Sequence, residues 1–150
     1  MENAVTERTP VHLWVVGVLA TLWNAFGAYD YWMTRTENLD YLSQFGADPN
    51  SILSWIDSFP MWAQFGWGLG VWMGLLGSVL LLARSRWAVH AFGLSLIGMA
   101  LSFGYQFSGA SPMPEGMDSG AMAYIPLLII FIGLVLFAYA RAMAKKAVLR

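Results

Sequence analysis

Residues 125–140 read IPLLIIFIGLVLFAYA, a continuous apolar run without a charged side chain. The run lacks the alternation of apolar and polar residues that is typical of a transmembrane β-strand. Helices and closed barrels are the structures that satisfy all their backbone polar groups in lipid. The run therefore predicts a transmembrane α-helix.

Three more long stretches of the 150 residues also lack charged side chains. Each of the four stretches without Asp, Glu, Lys or Arg accommodates the roughly 20 residues that a membrane-spanning helix needs. We predict a single membrane domain over residues 1–150, an all-α integral membrane bundle of four transmembrane helices. The predicted spans are about 11–33, 60–83, 87–108 and 122–142.

The composition favours a membrane protein and excludes several other classes. Hydrophobic residues make up 58% of the chain and charged residues 11%, whereas soluble domains carry roughly 25% charged residues. The absence of cysteine excludes disulfides, a thiolate nucleophile and cysteine-ligated metals. A net charge of −1 argues against nucleic acid as a partner. The lipid bilayer is therefore the predicted partner.

The basic residues predict the orientation. With an even number of spans, seven of the eight Lys and Arg residues lie on the side of both termini, and Arg35 lies on the other. Because Lys and Arg are retained on the cytoplasmic side, we predict a bacterial inner (plasma) membrane protein with cytoplasmic N- and C-termini. The seven residues are Arg8, Arg84, Arg86, Arg141, Lys145, Lys146 and Arg150.

The first outer loop, residues 34–59, predicts short amphipathic helices. The stretch from Thr34 to Glu37 matches a capping box. Asp48 then offers an N-cap, with Pro49 at the first helical position. Apolar residues follow at helical spacing, so we expect short helices that lie on the outer leaflet or cap the bundle. These apolar residues are Ile52, Trp55, Ile56 and Phe59.

A stripe of small residues runs along the second span, one at every fourth position. Stripes of this kind allow two helix backbones to approach closely. Two uses stay open: packing within the four-helix bundle, or the seam of a homodimer or hetero-oligomer. The residues of this helix-packing seam are Gly66, Gly70, Gly74 and Ser78.

Polar residues within the spans predict a shallow pocket that faces outward, because polar groups in lipid are costly and often functional. Asp30 would bind a cation, a proton or a hydroxyl-rich ligand, or would be an interfacial residue that is hydrogen-bonded or paired with Arg35. Asn24 would be an interhelical hydrogen-bond clamp or a ligand group. The candidate pocket residues are Asn24, Asp30, Gln64, Gln106 and Tyr124.

Motifs for catalysis and cofactor binding are missing from the sequence. It contains no HExxH, GxSxG or phosphate-binding loop. His12 and His90 begin the first and third spans, where we expect interfacial side chains rather than haem or metal ligands. We therefore predict no enzyme activity, no cofactor and no metal site.

The first span carries a resemblance to a known family. Residues 22–34 read LWNAFGAYDYWMT, which resembles an uncharacterised family of small four-helix bacterial inner-membrane proteins with an LWN–G–DY–MT signature. The likeness continues at Asn38, Tyr41 and Leu42 and extends through residues 60–62 and 70–72 to Arg84, over half of the chain. Members sometimes bear a generic sugar-transporter label, so the resemblance implies solute transport. The positions it puts forward for testing are Asn24, Gly27, Asp30, Tyr31 and Thr34.

Two functions stay open. In the first, the protein binds or transports a small, sugar-like solute, as an oligomer because four helices are few for an aqueous path. In the second, it is a non-catalytic accessory or assembly subunit of a larger membrane complex, docking through the glycine face and loop 34–59. The polar layer and the resemblance favour the first function, and the absence of charged residues deep in the bilayer favours the second.

Overall fold

A computed structural model describes residues 8–118 and 120–150 of the chain. These residues are helical or irregular, without a strand. Short 3₁₀ turns cover Ser43–Phe45 and Gly120–Tyr124. The α-helices are α1 (Val11–Arg35), α2 (Leu39–Leu42), α3 (Pro49–Asp57), α4 (Met61–Leu82), α5 (Trp87–Phe107) and α6 (Ile125–Lys145).

Helices α1, α4, α5 and α6 are long and apolar enough to cross a membrane. The predicted all-α bundle of four membrane-spanning helices is therefore confirmed. Helix α6 lies further toward the C-terminus than the predicted span 122–142. The reason is local: a 3₁₀ turn precedes it, and Pro126 occupies its first turn, where a missing N–H costs nothing.

The long helices pack in the order α1, α4, α5, α6, with α4 and α5 as the closest pair. We call the end of the bundle that holds Val11 and Lys145 the terminal end, and the opposite end the loop end. Helices α1 and α6 meet at the terminal end, where His12 Nδ1 and Tyr139 Oη lie 2.6 Å apart. The apolar core is concentrated at this same end.

The C-terminal residues fold back over the turn between α4 and α5. Arg150 donates its backbone N–H to Arg84 O at 2.6 Å, and Arg86 donates its backbone N–H to Arg150 O at 2.9 Å. The side chain of Leu149 is buried in the core beneath them. Backbone pairing and apolar burial together close the terminal end.

Helices α2 and α3 cap the loop end. The side chain of Asp48 accepts a hydrogen bond from the Ser51 N–H at 2.9 Å, and Pro49 begins α3, which confirms the predicted helix start. Ile52 and Phe59 on the apolar stripe are buried against the bundle. The first loop therefore covers the bundle rather than extending away from it.

The predicted capping box at residues 34–37 is wrong. Helix α1 continues through Arg35, and the Thr36 N–H still bonds to Trp32 O at 2.9 Å. The cap of α2 is Asn38, whose side chain accepts a hydrogen bond from the Tyr41 N–H at 2.9 Å. The first span thus extends beyond its predicted end because its last turn is still hydrogen-bonded as a helix.

Candidate functional site

A cavity of about 350 Å³ lies among the four long helices, beneath the cap formed by α2 and α3. Its volume falls within the roughly 300–1,000 Å³ that is usual for small-molecule sites. Most of its lining is apolar, and all six helices contribute to it. The polar lining residues are Asn24, Asp30, Thr34, Tyr41, Gln64, Ser95, Ser102 and Gln106.

Four of the five predicted pocket residues line this cavity. Tyr124 lies outside the lining: it ends the 3₁₀ turn before α6, and its side chain is 70% exposed. The structure therefore separates Tyr124 from the other four predicted pocket residues. Helical rise predicts the depth of a side chain but not the direction in which it points. The four lining residues are Asn24, Asp30, Gln64 and Gln106.

Asp30 is held by a residue of the loop cap. Tyr41 donates its phenolic O–H to Asp30 Oδ1 at 2.7 Å. The pKa of Tyr41 is raised above its ordinary value, mainly by burial and to a smaller extent by this hydrogen bond. Tyr41 is therefore a donor at neutral pH. The sequence did not identify Tyr41 as a partner, because the contact depends on how α2 folds back over α1.

Arg35 bonds to α4 instead of Asp30. Its Nη1 donates to Gln64 Oε1 at 3.1 Å, and Gln64 Nε2 donates to Phe59 O at 2.9 Å. The hydrogen-bonded alternative for Asp30 is therefore the one present, with Tyr41 as the donor. Gln64 joins α1 to the start of α4 at the loop end, and both ends of its amide are occupied.

Asn24 joins α1 to α4. Its Nδ2 donates to Ser78 Oγ at 2.9 Å and to Ala20 O at 2.9 Å. Ser78 Oγ donates in turn to Gly74 O at 2.9 Å. These bonds correspond to the interhelical clamp that the sequence left open, although Asn24 also lines the deep part of the cavity.

The seam of small residues is used within the chain. Its four residues are buried, and a methyl group on Gly66 would lie 2.8 Å from Gly98 O of α5. Ser95 Oγ of α5 donates to Gly70 O at 2.6 Å, while a methyl group on Gly74 would meet Asn24 of α1. The seam therefore packs α4 against α5 and α1, and an oligomer would have to form through another face.

Some polar atoms of the cavity have no partner in the part of the chain that the structure describes. They are Asp30 Oδ2, Asn24 Oδ1 and the side chains of Thr34, Ser102 and Gln106. No fully buried side-chain polar atom among the described residues lacks a hydrogen bond. These atoms therefore keep some accessible surface.

The exposure of two lining residues indicates that the cavity opens sideways between α1 and α6. These two helices are the neighbours that do not pack closely along the bundle. Phe26 of α1 is 63% exposed and Ile125 of α6 is 40% exposed, although both line the cavity. The opening lies on the flank of the bundle, which faces acyl chains in a bilayer.

The two histidines are separate and lie outside the cavity lining. His12 pairs with Tyr139, and the His90 ring packs against Trp87 with ring centroids 5.0 Å apart. Within residues 8–118 and 120–150, no group of three or more His, Asp or Glu side chains lies close enough together to hold a metal ion.

Comparison with known proteins gives no relative for this chain: no family model, curated protein or solved structure matches it. The resemblance of residues 22–34 to the LWN–G–DY–MT family therefore stays a prediction. Inferences about function rest on the geometry of the cavity.

Proposed function

We propose that the protein binds a small solute in its central cavity and, as an oligomer, moves it across the bacterial inner membrane without catalysing a reaction. One observation carries the proposal: a cavity of ligand size gathers polar side chains from α1, α4 and α5 within an apolar bundle. Such a combination of apolar walls and a few convergent polar groups is typical of ligand sites. The family resemblance suggests a sugar-like solute.

The accessory-subunit alternative receives less support from the geometry. It relied on the glycine face and loop 34–59 as docking surfaces. The glycine face packs against α5 and α1, and Ile52 and Phe59 of the loop face the cavity. Both surfaces are already used within the chain, so we favour solute binding.

The charge distribution supports the proposed orientation. Arg84 and Arg86 lie in the turn between α4 and α5 at the terminal end, and Arg35 lies at the loop end. By the positive-inside rule, the terminal end is cytoplasmic. A fluorescent protein fused after Arg150 should therefore be bright in a bacterial host. A phosphatase fusion at the same place that is active, with a dark fluorescent fusion, would overturn the orientation.

Two matched glycine substitutions test solute binding. Gly27 lines the cavity and has open space around an added Cβ, and Gly104 has equally open space but does not line the cavity. Gly27→Phe should therefore fill the cavity without a backbone clash, and Gly104→Phe should leave it empty. Both variants are prepared in lipid nanodiscs, and Tm is measured against a panel of sugars, polyols, amines and quaternary ammonium ions.

A solute that occupies the cavity should raise Tm of the parent protein and of Gly104→Phe, but not of Gly27→Phe. The stabilisation should be about 2.7 kcal/mol when the solute is present at 100 times its Kd. A panel without any such solute, or a shift that persists in Gly27→Phe, would contradict the proposal.

A further inference from the structure

The charge of the cavity points to the kind of ligand it takes. Among the lining residues, all of which lie in the described part of the chain, Asp30 is the one carboxylate, and no Lys, Arg or His accompanies it. Tyr41 occupies its Oδ1, while Oδ2 has no hydrogen-bond partner among the described residues and is not fully buried. A carboxylate in apolar surroundings is costly to ionise without a partner, and a cation bound beside it favours the charged form.

The walls around this carboxylate are aromatic. Large rings from five different helices line the cavity. Aromatic faces attract ammonium groups, and the attraction grows when the site is desolvated. A cavity with one carboxylate and several ring faces has the composition of a site for an organic ammonium ion. Five of these rings, one from each of α1 to α5, are Trp23, Tyr41, Trp55, Trp67 and Phe103.

Three polar residues of the cavity already make hydrogen bonds within the protein, which leaves a sugar fewer partners than the lining suggests. Asn24 donates to Ser78 and Ala20, and both ends of the Gln64 amide are engaged. Ser95 likewise donates to a backbone carbonyl of α4. Hydroxyl-rich ligands need several directed hydrogen bonds to replace those they make with water, whereas a cation needs one strong counter-ion.

The side opening matches a ligand that is dissolved in the membrane. Phe26 and Ile125 at the opening are apolar and exposed toward the flank, and α2 and α3 cover the loop end. A molecule with an apolar body concentrates in the bilayer and can reach the cavity between α1 and α6. A hydrophilic solute would have to cross acyl chains to use this route.

We propose that the ligand is a lipophilic organic cation, a monovalent ammonium group on an aromatic or branched apolar body. Asp30 is its counter-ion, the aromatic rings surround its body, and it enters from the bilayer between α1 and α6. The volume of about 350 Å³ restricts the ligand to a small molecule. This inference rests on the proposed binding of a solute in the central cavity and names the class of that solute.

The test compares a cation with its uncharged isostere. Benzyltrimethylammonium is titrated into the protein in lipid nanodiscs, with empty nanodiscs as the blank, and binding is measured by calorimetry and tryptophan fluorescence. Neopentylbenzene, in which carbon replaces the charged nitrogen, and glucose are titrated in the same way. The variants are Asp30→Asn, Asp30→Glu, Gly27→Phe and Gly104→Phe.

We expect saturable binding of the cation, at least about tenfold tighter than that of the isostere, a difference of about 1.4 kcal/mol. Asp30→Asn should remove this preference, Asp30→Glu should restore part of it, and Gly27→Phe should abolish binding. Gly104→Phe should bind as the parent protein does. The Asp30 variants are compared only after circular dichroism shows parental helicity. If neither of them folds, charge preference is decided by the isostere comparison in the parent protein.

The other outcomes separate the two proposals. If glucose or neopentylbenzene binds as tightly as the cation and Gly27→Phe blocks it, the cation inference is overturned and solute binding survives. If no probe binds to the parent protein, the cation inference is overturned, and the wider solute panel decides whether solute binding also falls.

Discussion

The closest approach of two helices gives the sharpest prediction for stability. Gly98 of α5 lies against α4, and a methyl group there would stand 2.5 Å from Gly66 O and 2.9 Å from Gly70 Cα. Carbon atoms normally stay roughly 3.5–4.0 Å apart, so Gly98→Ala must push α4 away. Overpacking costs about 1–3 kcal/mol, against a gain of about 0.5–1 kcal/mol from replacing glycine within a helix. Parting the helices also weakens the bond from Ser95 Oγ to Gly70 O, which is 2.6 Å long.

The expected net loss for Gly98→Ala is about 1–3 kcal/mol of unfolding free energy, since the weakened hydrogen bond contributes about 0.5–1.5 kcal/mol. Equilibrium unfolding in mixed micelles of dodecyl maltoside and sodium dodecyl sulfate, followed by tryptophan fluorescence, measures it. Gly104→Ala on the same helix is the control: its methyl group meets nothing within 4 Å, so stability should stay level or rise. Equal stability of the two variants would refute the close packing of α4 on α5 at Gly98.

Two further substitutions test the loop cap and the terminal end. Tyr41→Phe removes the hydrogen bond to Asp30 and should cost about 1 kcal/mol of unfolding free energy. Because the folded protein raises the pKa of Tyr41 above its ordinary value of 10.0, this difference should be complete below pH 10. It should shrink as pH rises further, which unfolding titrations at several pH values will check; a constant difference at high pH would contradict the raised pKa of Tyr41. Leu149→Ala should cost about 2–5 kcal/mol in the same micelle assay, since Leu149 is 1% exposed, and an unchanged midpoint would mean that the C-terminal residues do not pack on the core.

The fold was predictable because a bilayer imposes both a length and a charge rule. Arg84 and Arg86 delimit the turn between α4 and α5, and the helices end and begin beside them at Leu82 and Trp87. Where the chain leaves the membrane, local hydrogen bonds rather than length and charge determine where a helix ends. At the end of α1, Thr34 has the residue type of a helix cap, yet it lies within the helix because the following turn is still bonded to it.

The site was only partly predictable, because its decisive contact depends on a turn that residue types do not reveal. Glu37 adopts a φ of 54°, a left-handed conformation that costs a residue with a Cβ roughly 1–2 kcal/mol. The turn at Glu37 reverses the chain after α1 and brings Tyr41 of α2 over Asp30. A sequence gives the depth of Asp30 from helical rise, but its partner is fixed by this reversal. The left-handed turn thus positions the partner of the Asp30 carboxylate, and Tyr41 occupies one of its two oxygens.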